Sequence, residues 1–308
     1  MTDKAEPGAE QETFSGGSLL VVAFEGWNDA GEAASGAATA LRDQLELVPL
    51  VELEPEDYFD YQFNRPTVAL DENGDRVLSW PQVTFFGPDP LAAQPTGTTD
   101  SGVAVHVLLG TEPSRGWKTF ATEIIQAIEA HDVTAVVFLG AMLADVPHTR
   151  PISVFASSEN ADVRARFELD RSSYEGPVGI ITVLASAVER AGIPTLAIWA
   201  SVPHYVHNAP SPKAVLALIE RLEEFVDIDI ARGSLVEDSV AWESGIDALA
   251  GDDDDMAAYI SQLEQARDTV DSPEASGEAI AEEFERYLRR RDGRDGRDGR
   301  AGGPPTGR

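Results

Sequence analysis

The stretch SLLVVAFEGWNDAGEAAS, residues 18–35, joins an apolar run to a glycine-bearing loop and then to a helical pattern. Loops of this kind often bind phosphate through backbone N–H groups at the start of a helix. A phosphate loop needs a lysine followed by Ser or Thr, but Glu32 and Ala33 stand in those positions, and the dinucleotide fingerprint G-x-G-x-x-G is absent. The stretch therefore predicts a strand–loop–helix unit and argues against a nucleotide site.

Apolar runs of strand length recur along the chain and alternate with helical patterns. Several runs are continuous in hydrophobicity, which is typical of strands that are covered on both faces. The alternation predicts a three-layer αβα domain with a largely parallel sheet over residues 18–232. A small hairpin over residues 76–86, with Trp80-Pro81 at its middle, is expected beside it. The predicted strands are 18–24, 48–53, 103–109, 133–139, 152–156 and 195–200, and the predicted helices are 29–46, 115–130, 178–191 and 211–226.

Composition restricts the partners and the chemistry that are available to the chain. The 308 residues include 54 Asp and Glu but 23 Lys and Arg, so the net charge is −31. Nucleic acid and anionic lipid are bound mainly through Lys and Arg, so we expect neither as a partner. The chain has no cysteine, which excludes disulfides, thiolate metal sites and a cysteine nucleophile. No apolar run is long enough to span a bilayer, and we expect a cytoplasmic protein.

The two ends of the chain differ in composition from the α/β region. Residues 1–17 are acidic and lack an apolar core, so we expect a disordered leader. After Gly233 the patterns are helical, and residues 236–290 predict an acidic helical domain, in which sixteen Asp and Glu but two Arg lie between 236 and 288. The repeat RDGRDGRDGR begins at residue 291, and residues 291–308 are expected to form a disordered tail.

Polar side chains are concentrated in three loops that follow predicted strands. Ligands of open α/β sheets bind beyond the carboxyl ends of the parallel strands, and those ends lie at one edge of the sheet. We therefore expect the three loops to form a polar cleft. Its candidate residues are Glu25, Asn28 and Asp29 after the first strand, Asp145, His148 and Arg150 after the fourth, and His204 after the last.

These candidate residues have structural as well as functional interpretations. Asp29 followed by Glu32 is typical of a capping box at the start of a helix, with Asp in place of Ser or Thr. The run of small residues at 30–38 favours close packing against the sheet or against another subunit. A phosphorylase-like site would instead use Arg150 to bind an oxyanion and His204 or Asp145 to transfer a proton.

A metal site is a further alternative for the same loops. Asp145 and His148, together with His204 and His207, offer oxygen and imidazole ligands. The chain lacks the H-E-x-x-H arrangement, and prolines in both loops favour stiff segments whose histidines bond to the backbone. The G-x-S-x-G elbow of serine hydrolases is absent as well. We expect no metal and no cofactor.

Five stretches in a fixed order carry a resemblance to a known family. They are AFEGWNDAGEAAS (23–35), LGTEPSRGW (109–117), LGAMLADVPHTRP (139–151), YEGPVGI (174–180) and WASVPHYVHNAPSPKA (199–214). From about residue 18 to residue 230 the chain resembles the actinobacterial branch of the proteasome assembly chaperone 2 family. The segment SGEAIAEEFERYLRRR (276–291) also resembles that branch.

The resemblance implies an α/β domain related to the phosphorylase/hydrolase-like fold, followed by a small helical domain. It also implies self-association, and eukaryotic members of the family hold proteasome α-subunits during ring assembly. Our first hypothesis is therefore a non-enzymatic chaperone or scaffold that acts through protein surfaces, with itself and proteasome subunits as partners. The second is an enzyme or small-molecule binder that uses the three loops. The fold alone does not distinguish them, because one α/β scaffold hosts both kinds of function.

Overall fold

The computed structural model describes residues 14, 17–92, 96–99, 102–207, 209–226 and 228–270. Among them, the residues up to Leu249 form one compact unit and those from Ala250 onward form a second. The part of the predicted helical domain beyond residue 270 and the predicted tail at 291–308 lie outside the described residues, as does the predicted leader apart from Phe14 and Gly17. Phe14 is buried and its N–H donates to the carbonyl oxygen of Phe225 at 2.7 Å, so the first unit includes this residue of the predicted leader.

A seven-stranded mixed sheet forms the centre of the first unit, and a separate two-stranded sheet lies in the same unit. The strands are β1 (Ser18–Glu25), β2 (Val48–Glu52), β3 (Thr67–Leu70), β4 (Arg76–Ser79), β5 (Val83–Gly87), β6 (Val105–Thr111), β7 (Val133–Ala144), β8 (Val154–Ser157) and β9 (Thr195–Pro203). The large sheet has the order β2-β5-β6-β1-β7-β9-β8. The four adjacent strands β6, β1, β7 and β9 pair in parallel. β5 pairs antiparallel with β6 and with β2 at one side of the sheet, and β8 pairs antiparallel with β9 at the other.

Helices cover both faces of this sheet. The α-helices in the described part of the chain are α1 (Ala33–Gln44), α2 (Pro55–Tyr58), α3 (Trp117–Ala130), α4 (Ala161–Phe167), α5 (Ile180–Arg190), α6 (Pro212–Glu223), α7 (Leu235–Gly251) and α8 (Asp254–Val270), of which α8 belongs to the second unit. The apolar faces of α1 and α6 pack on one side of the sheet, and those of α3 and α5 pack on the other. The predicted three-layer αβα fold with a largely parallel sheet and helices after it is therefore confirmed.

The side chains of β1 explain why this strand lies at the centre. Leu19, Val21 and Ala23 are buried in the core beneath α1 and α6. Leu20, Val22 and Phe24 are buried in the opposite core. Full burial stabilises the fold by roughly 1.5–3 kcal/mol for each large apolar side chain, so a strand that is apolar on both faces must be covered on both.

The small residues of α1 permit the close packing that the sequence predicts. Ala33, Ala34, Ala37 and Ala38 are fully buried against the sheet. A Cβ atom added at Gly36 would lie 2.9 Å from Cγ2 of Val215, a residue of α6. Close packing is thus confirmed, and the contacts described for these small residues are with the sheet and with α6 of the same chain.

The predicted hairpin at 76–86 is wrong in its strand pairing. β4 pairs with β3 across a turn at 71–75, whereas β5 joins the large sheet between β2 and β6. The turn forms because Oδ1 of Asp71 accepts the N–H groups of Asn73 and Asp75 and because Gly74 adopts a positive φ of 83°. Trp80-Pro81 instead lies in the irregular connection between β4 and β5.

The helical region at the end of the described chain begins at α7. All of α7 except its last two residues belongs to the first compact unit. The boundary between the two units therefore follows Leu249, whereas the helical region expected from the sequence begins at residue 236. The second unit contains α8, whose first turn carries Asp254 and Asp255 where the helix dipole favours negative charge. Among the described residues, no helix combines the length and the apolar composition that are needed to cross a membrane.

Candidate functional site

The carboxyl ends of β1, β7 and β9 lie at one edge of the large sheet, as their parallel pairing requires. β7 extends beyond the end of β1. The carbonyl oxygen of Asn28, after β1, accepts from the N–H of Ala141 at 2.7 Å, and β7 then continues beside β9 to Ala144. Asp145 lies four residues beyond Ala141, or about 13 Å along a strand. The described contacts thus place the candidate residues in two groups, one at the end of β1 and one beyond it.

Asn28 and Glu112 link three elements at the end of β1. Asn28 is buried, and its Nδ2 donates to Oε1 of Glu112 at 3.3 Å. The same carboxylate oxygen accepts the N–H of Ile180 at 2.8 Å, at the N-terminus of α5, where a negative charge is favoured. A Cβ atom at Gly179 would lie 2.1 Å from Nδ2 of Asn28, so a side chain at this position would displace the Asn28 amide. Glu25, which is exposed, accepts a hydrogen bond from Oγ1 of Thr111 at 3.0 Å.

Asp29 stabilises the start of α1, although it does not form the predicted capping box. Its Oδ1 accepts the N–H groups of Ala34 at 2.7 Å and Ser35 at 3.1 Å, and its Oδ2 accepts the hydroxyl of Ser35 at 2.5 Å. Glu32, the expected partner, is exposed and has a left-handed φ of 52° that places it outside the helix. Burial raises the pKa of Asp29, and the hydrogen bonds from Ser35 and Ala34 oppose that shift. The described bonds of Asp29 are therefore structural.

His148 is the most enclosed residue of the second group and has a partner at each ring nitrogen. Its backbone N–H donates to the hydroxyl oxygen of Tyr205 at 2.7 Å, and its Nδ1 lies 2.9 Å from the same oxygen. Its Nε2 lies 3.0 Å from Oδ1 of Asp247, a residue of α7. A carboxylate can only accept, so Nε2 carries a proton, and in the neutral imidazole Nδ1 then accepts from the Tyr205 hydroxyl.

Lys213 links the loop that contains His148 to two helices. From the first turn of α6, its Nζ donates to the carbonyl oxygen of His148 at 2.6 Å and to Oε2 of Glu243 at 2.6 Å. The lysine side chain is mostly buried and that of Glu243 is partly buried, so the pair is shielded from water. Glu243 lies on α7, one turn from Asp247. The loop that follows β7 is thus held by both α6 and α7.

The remaining three candidates, Asp145, Arg150 and His204, lie nearer to solvent. Nδ1 of His204 is 3.2 Å from Oδ1 of Asp145, and both side chains are exposed, so the pair contributes little to stability. Nη1 of Arg150 lies 3.4 Å from Oγ1 of Thr149. The described part of the chain contains no group of three or more His, Asp or Glu residues placed to hold a metal ion.

Sequence reasoning found the three loops but missed several residues that bond to them. Glu112 follows β6 directly, and its position after a strand in LGTEPSRGW was a usable signal. Lys213, Glu243 and Asp247 lie in α6 and α7, and the acidic helical region was expected to form a domain of its own. No local pattern connects them with His148.

A sequence model of the PAC2 family matches residues 23–250. The chain belongs to the PAC2 family. A PAC2 family protein of Streptomyces avermitilis is 41% identical, with a TM-score of 0.69 over 79% of this chain and 99% of that one. A proteasome-assembly chaperone homologue of Mycobacterium tuberculosis is 39% identical, with a TM-score of 0.67 over the same shares. Both organisms are actinobacteria, so the predicted family branch is confirmed.

A more distant structure shares the PAC2 fold. The archaeal proteasome activator PbaB of Pyrococcus furiosus is 13% identical, with a TM-score of 0.58 over 80% of this chain and 96% of that one. At this identity the likeness concerns the fold alone. No curated protein sequence matches the chain.

In this PAC2 chain, several exposed apolar side chains are sequence neighbours of the buried residues at the end of β1 or of the residues that contact them. Trp27, which is 75% exposed, precedes Asn28 in sequence. Met142 follows Ala141, and Val178 precedes Gly179; both Ala141 and Gly179 are in contact with Asn28. We call this surface the apolar rim, and it comprises Trp27, Met142, Leu143, Tyr174 and Val178.

Proposed function

We propose that this PAC2 chain is a non-enzymatic chaperone or scaffold that binds other proteins through the apolar rim. The observation that carries the proposal is the exposure of Trp27 beside the fixed and buried pair Asn28 and Asp29. Aromatic residues and Met are enriched at protein interfaces, and exposed aromatics held by a rigid backbone are effective binding residues.

The bonding of the candidate residues supports a binding role over a catalytic one. A general base must be within reach of the proton that it abstracts. Asp29 and His148 are buried, and their described hydrogen bonds go to groups of the protein itself. Asp145 and His204 bond to each other near the surface. The alternative of an enzyme at these loops is the weaker proposal.

The partners proposed are a second copy of the chain and subunits of the proteasome, in the cytoplasm. The Mycobacterium tuberculosis relative is described as a proteasome-assembly chaperone homologue, which is the basis for the second partner. The net charge of −31 favours partner surfaces that carry Lys and Arg. An interface of apolar centre and charged surroundings is typical of specific protein complexes.

The test is co-purification of purified proteasome α-subunits of an actinobacterium with the wild-type chain and with Trp27→Ser. We expect the wild type to retain α-subunits and the variant to lose most of them, because removal of one central aromatic residue often weakens binding by a factor of ten or more. Leu91→Ser is the matched control, since Leu91 is 90% exposed and lies outside the apolar rim. Equal retention by all three chains, or none by the wild type, would contradict the proposal.

A further inference from the structure

A cavity of about 560 Å³, which shares no lining residue with the apolar rim, lies where the segments that flank the β3–β4 hairpin approach the large sheet. Its walls come from 63–67 and 79–82 on the hairpin side, from β5 and β6, and from α1. Small-molecule sites commonly have volumes of roughly 300–1,000 Å³. The cavity is therefore large enough for one small ligand.

Two of the few arginines in this part of the chain line the cavity, and one of them, Arg42, is paired with Asp43. Between residues 17 and 92 the sequence contains three Lys or Arg residues, Arg42, Arg65 and Arg76, and the first two line the cavity. Glu25 is the one carboxylate in the lining, and its Oε2 accepts a hydrogen bond from Thr111. In a chain with a net charge of −31, two arginines that line one cavity are a local departure from the composition.

The arginines have capacity to bind a ligand. Arg42 is oriented by Asp43, whose Oδ1 lies 2.8 Å from Nε and 2.7 Å from Nη2, and its guanidinium lies 5.2 Å from the ring centre of Phe86. Its Nη1 has no bonding partner among the described residues. Arg65 is exposed and likewise forms no ion pair within the described part of the chain. Guanidinium groups with unused donors match the geometry of a carboxylate.

Aromatic rings and one buried hydroxyl complete the lining. Phe86 and Trp80 both line the cavity, and Trp80 is held by an edge contact with Tyr61 at 4.9 Å between ring centres. Thr84 also lines it and is 2% exposed as a residue. Its hydroxyl can donate or accept a hydrogen bond, so it can pair with a polar group of a bound ligand.

We propose that this cavity binds a small aromatic carboxylate, with Arg42 and Arg65 holding its carboxylate and Phe86 and Trp80 contacting its ring. A single negative charge fits better than a phosphate dianion, because Glu25 and the strongly acidic chain oppose a second charge. This binding is independent of the apolar rim, since none of the lining residues named here belongs to it.

The probe is naphthalene-2-carboxylate, titrated into the full chain by isothermal titration calorimetry. We expect saturable binding at millimolar or lower concentration, and we expect Arg42→Gln and Arg65→Gln each to weaken it about tenfold, the usual value of a charged hydrogen bond. Arg76→Gln is the matched control, because it removes an arginine of the same hairpin that does not line the cavity. Thermal melting of each variant shows that it is folded.

Two related compounds and one further variant sharpen the test. Naphthalene-2-carboxamide has the same ring without the charge and should bind at least about tenfold more weakly. 2-Naphthyl phosphate should also bind more weakly than the carboxylate. Thr84→Val keeps the shape of the side chain and should weaken binding of the carboxylate without unfolding the chain. The proposal is overturned if the carboxylate does not bind, if the amide or the phosphate binds as tightly, or if Arg76→Gln weakens binding as much as Arg65→Gln.

Discussion

The hydroxyl oxygen of Tyr205 lies 2.7 Å from the backbone nitrogen of His148 and 2.9 Å from Nδ1 of its ring. One phenol therefore accepts from the backbone and donates to the imidazole of the same buried residue. Since Nε2 bonds to Asp247 on the other side, the His148 ring is fixed from the 3-10 turn after β9 and from α7 at once.

Tyr205→Phe should reduce the free energy of unfolding by about 1–3 kcal/mol, because two buried nitrogen groups of His148 lose their partner. Urea denaturation at neutral pH measures the change. Tyr174→Phe is the control: the Tyr174 hydroxyl bonds to the carbonyl oxygen of Pro177 at an exposed site, so its loss should change stability by less than about 0.5 kcal/mol. If Tyr205→Phe is as stable as the wild type, the bonding assigned to His148 is wrong.

Lys213→Met should loosen α7 as well as the loop before β8. The substitution removes the donor to the His148 carbonyl and leaves Glu243 partly buried without its cation, at a cost of about 1–3 kcal/mol. Backbone amides of α7 should therefore exchange with deuterium faster, as measured by mass spectrometry. Glu243→Gln should have a smaller effect, since its amide oxygen still accepts from Lys213.

Arg190→Met provides the comparison for this experiment. Arg190 is exposed in the last turn of α5, and no ion pair involves it among the described contacts. We expect α7 to exchange at the wild-type rate in this variant. Unchanged exchange of α7 in Lys213→Met would show that Lys213 does not hold the helix.

Asp29→Asn should leave stability at pH 7 unchanged or raise it. The amide oxygen can still accept the N–H groups of Ala34 and Ser35, and Nδ2 can donate to the Ser35 hydroxyl. Burial raises the pKa of Asp29, so its ionisation costs stability as the pH rises above the ordinary value of 3.8, and the substitution removes that cost.

Asp29→Ala is the matched comparison and should destabilise the chain by about 1–2 kcal/mol, because the first turn of α1 loses its acceptor. Both variants are compared by urea denaturation at pH 7. A loss in Asp29→Asn as large as that in Asp29→Ala would mean that the charge itself is required.

His106 should make stability dependent on pH between about 4 and 6.5. Burial lowers the pKa of His106 from 6.5 to about 4, and the charge of the neighbouring His131 is the second cause of this shift. The unfolded chain therefore binds a proton at a higher pH than the folded chain, so this stability is full above pH 6.5 and is lost as the pH falls towards 4. The loss is at most about 3 kcal/mol.

The measurement is urea denaturation across that range for the wild type and for His106→Leu. Because carboxylates also titrate there, the difference in slope between the two chains is the quantity of interest. The variant should show a shallower decline, since it has no imidazole to protonate at this position. Identical slopes would contradict the assignment.

The strand–loop–helix unit at residues 18–35 could be predicted because its signals are local. β1 is apolar on both faces, and small residues follow where α1 packs. The hairpin at 76–86 was predicted wrongly because two turn sequences lie within a few residues of each other. The side-chain hydrogen bonds of Asp71 stabilise the turn before β4 instead. The sequence does not show which of the two turns forms, since the residues at Trp80-Pro81 are compatible with a turn as well.

The candidate site was predictable in position but not in bonding. Parallel pairing alone brings the loops after β1, β7 and β9 to one edge. The residues that hold those loops are far away in sequence: Glu112 lies 84 residues from Asn28, and Asp247 lies 99 residues from His148. Which distant carboxylate meets which donor depends on the packing of α5 and α7, and no periodicity of a single segment encodes it.

The attachment of Trp27 to a fixed loop has a consequence for the speed of association. Its neighbours Asn28 and Asp29 are bonded to β7, Glu112 and α1, so little backbone freedom remains to be lost when a partner covers the indole. Association should then proceed without a slow rearrangement and depend on diffusion and charge, while differences among partners fall mainly in the dissociation rate. Raising the salt concentration would slow the encounter with a basic partner, because screening weakens the attraction exerted by the acidic surface.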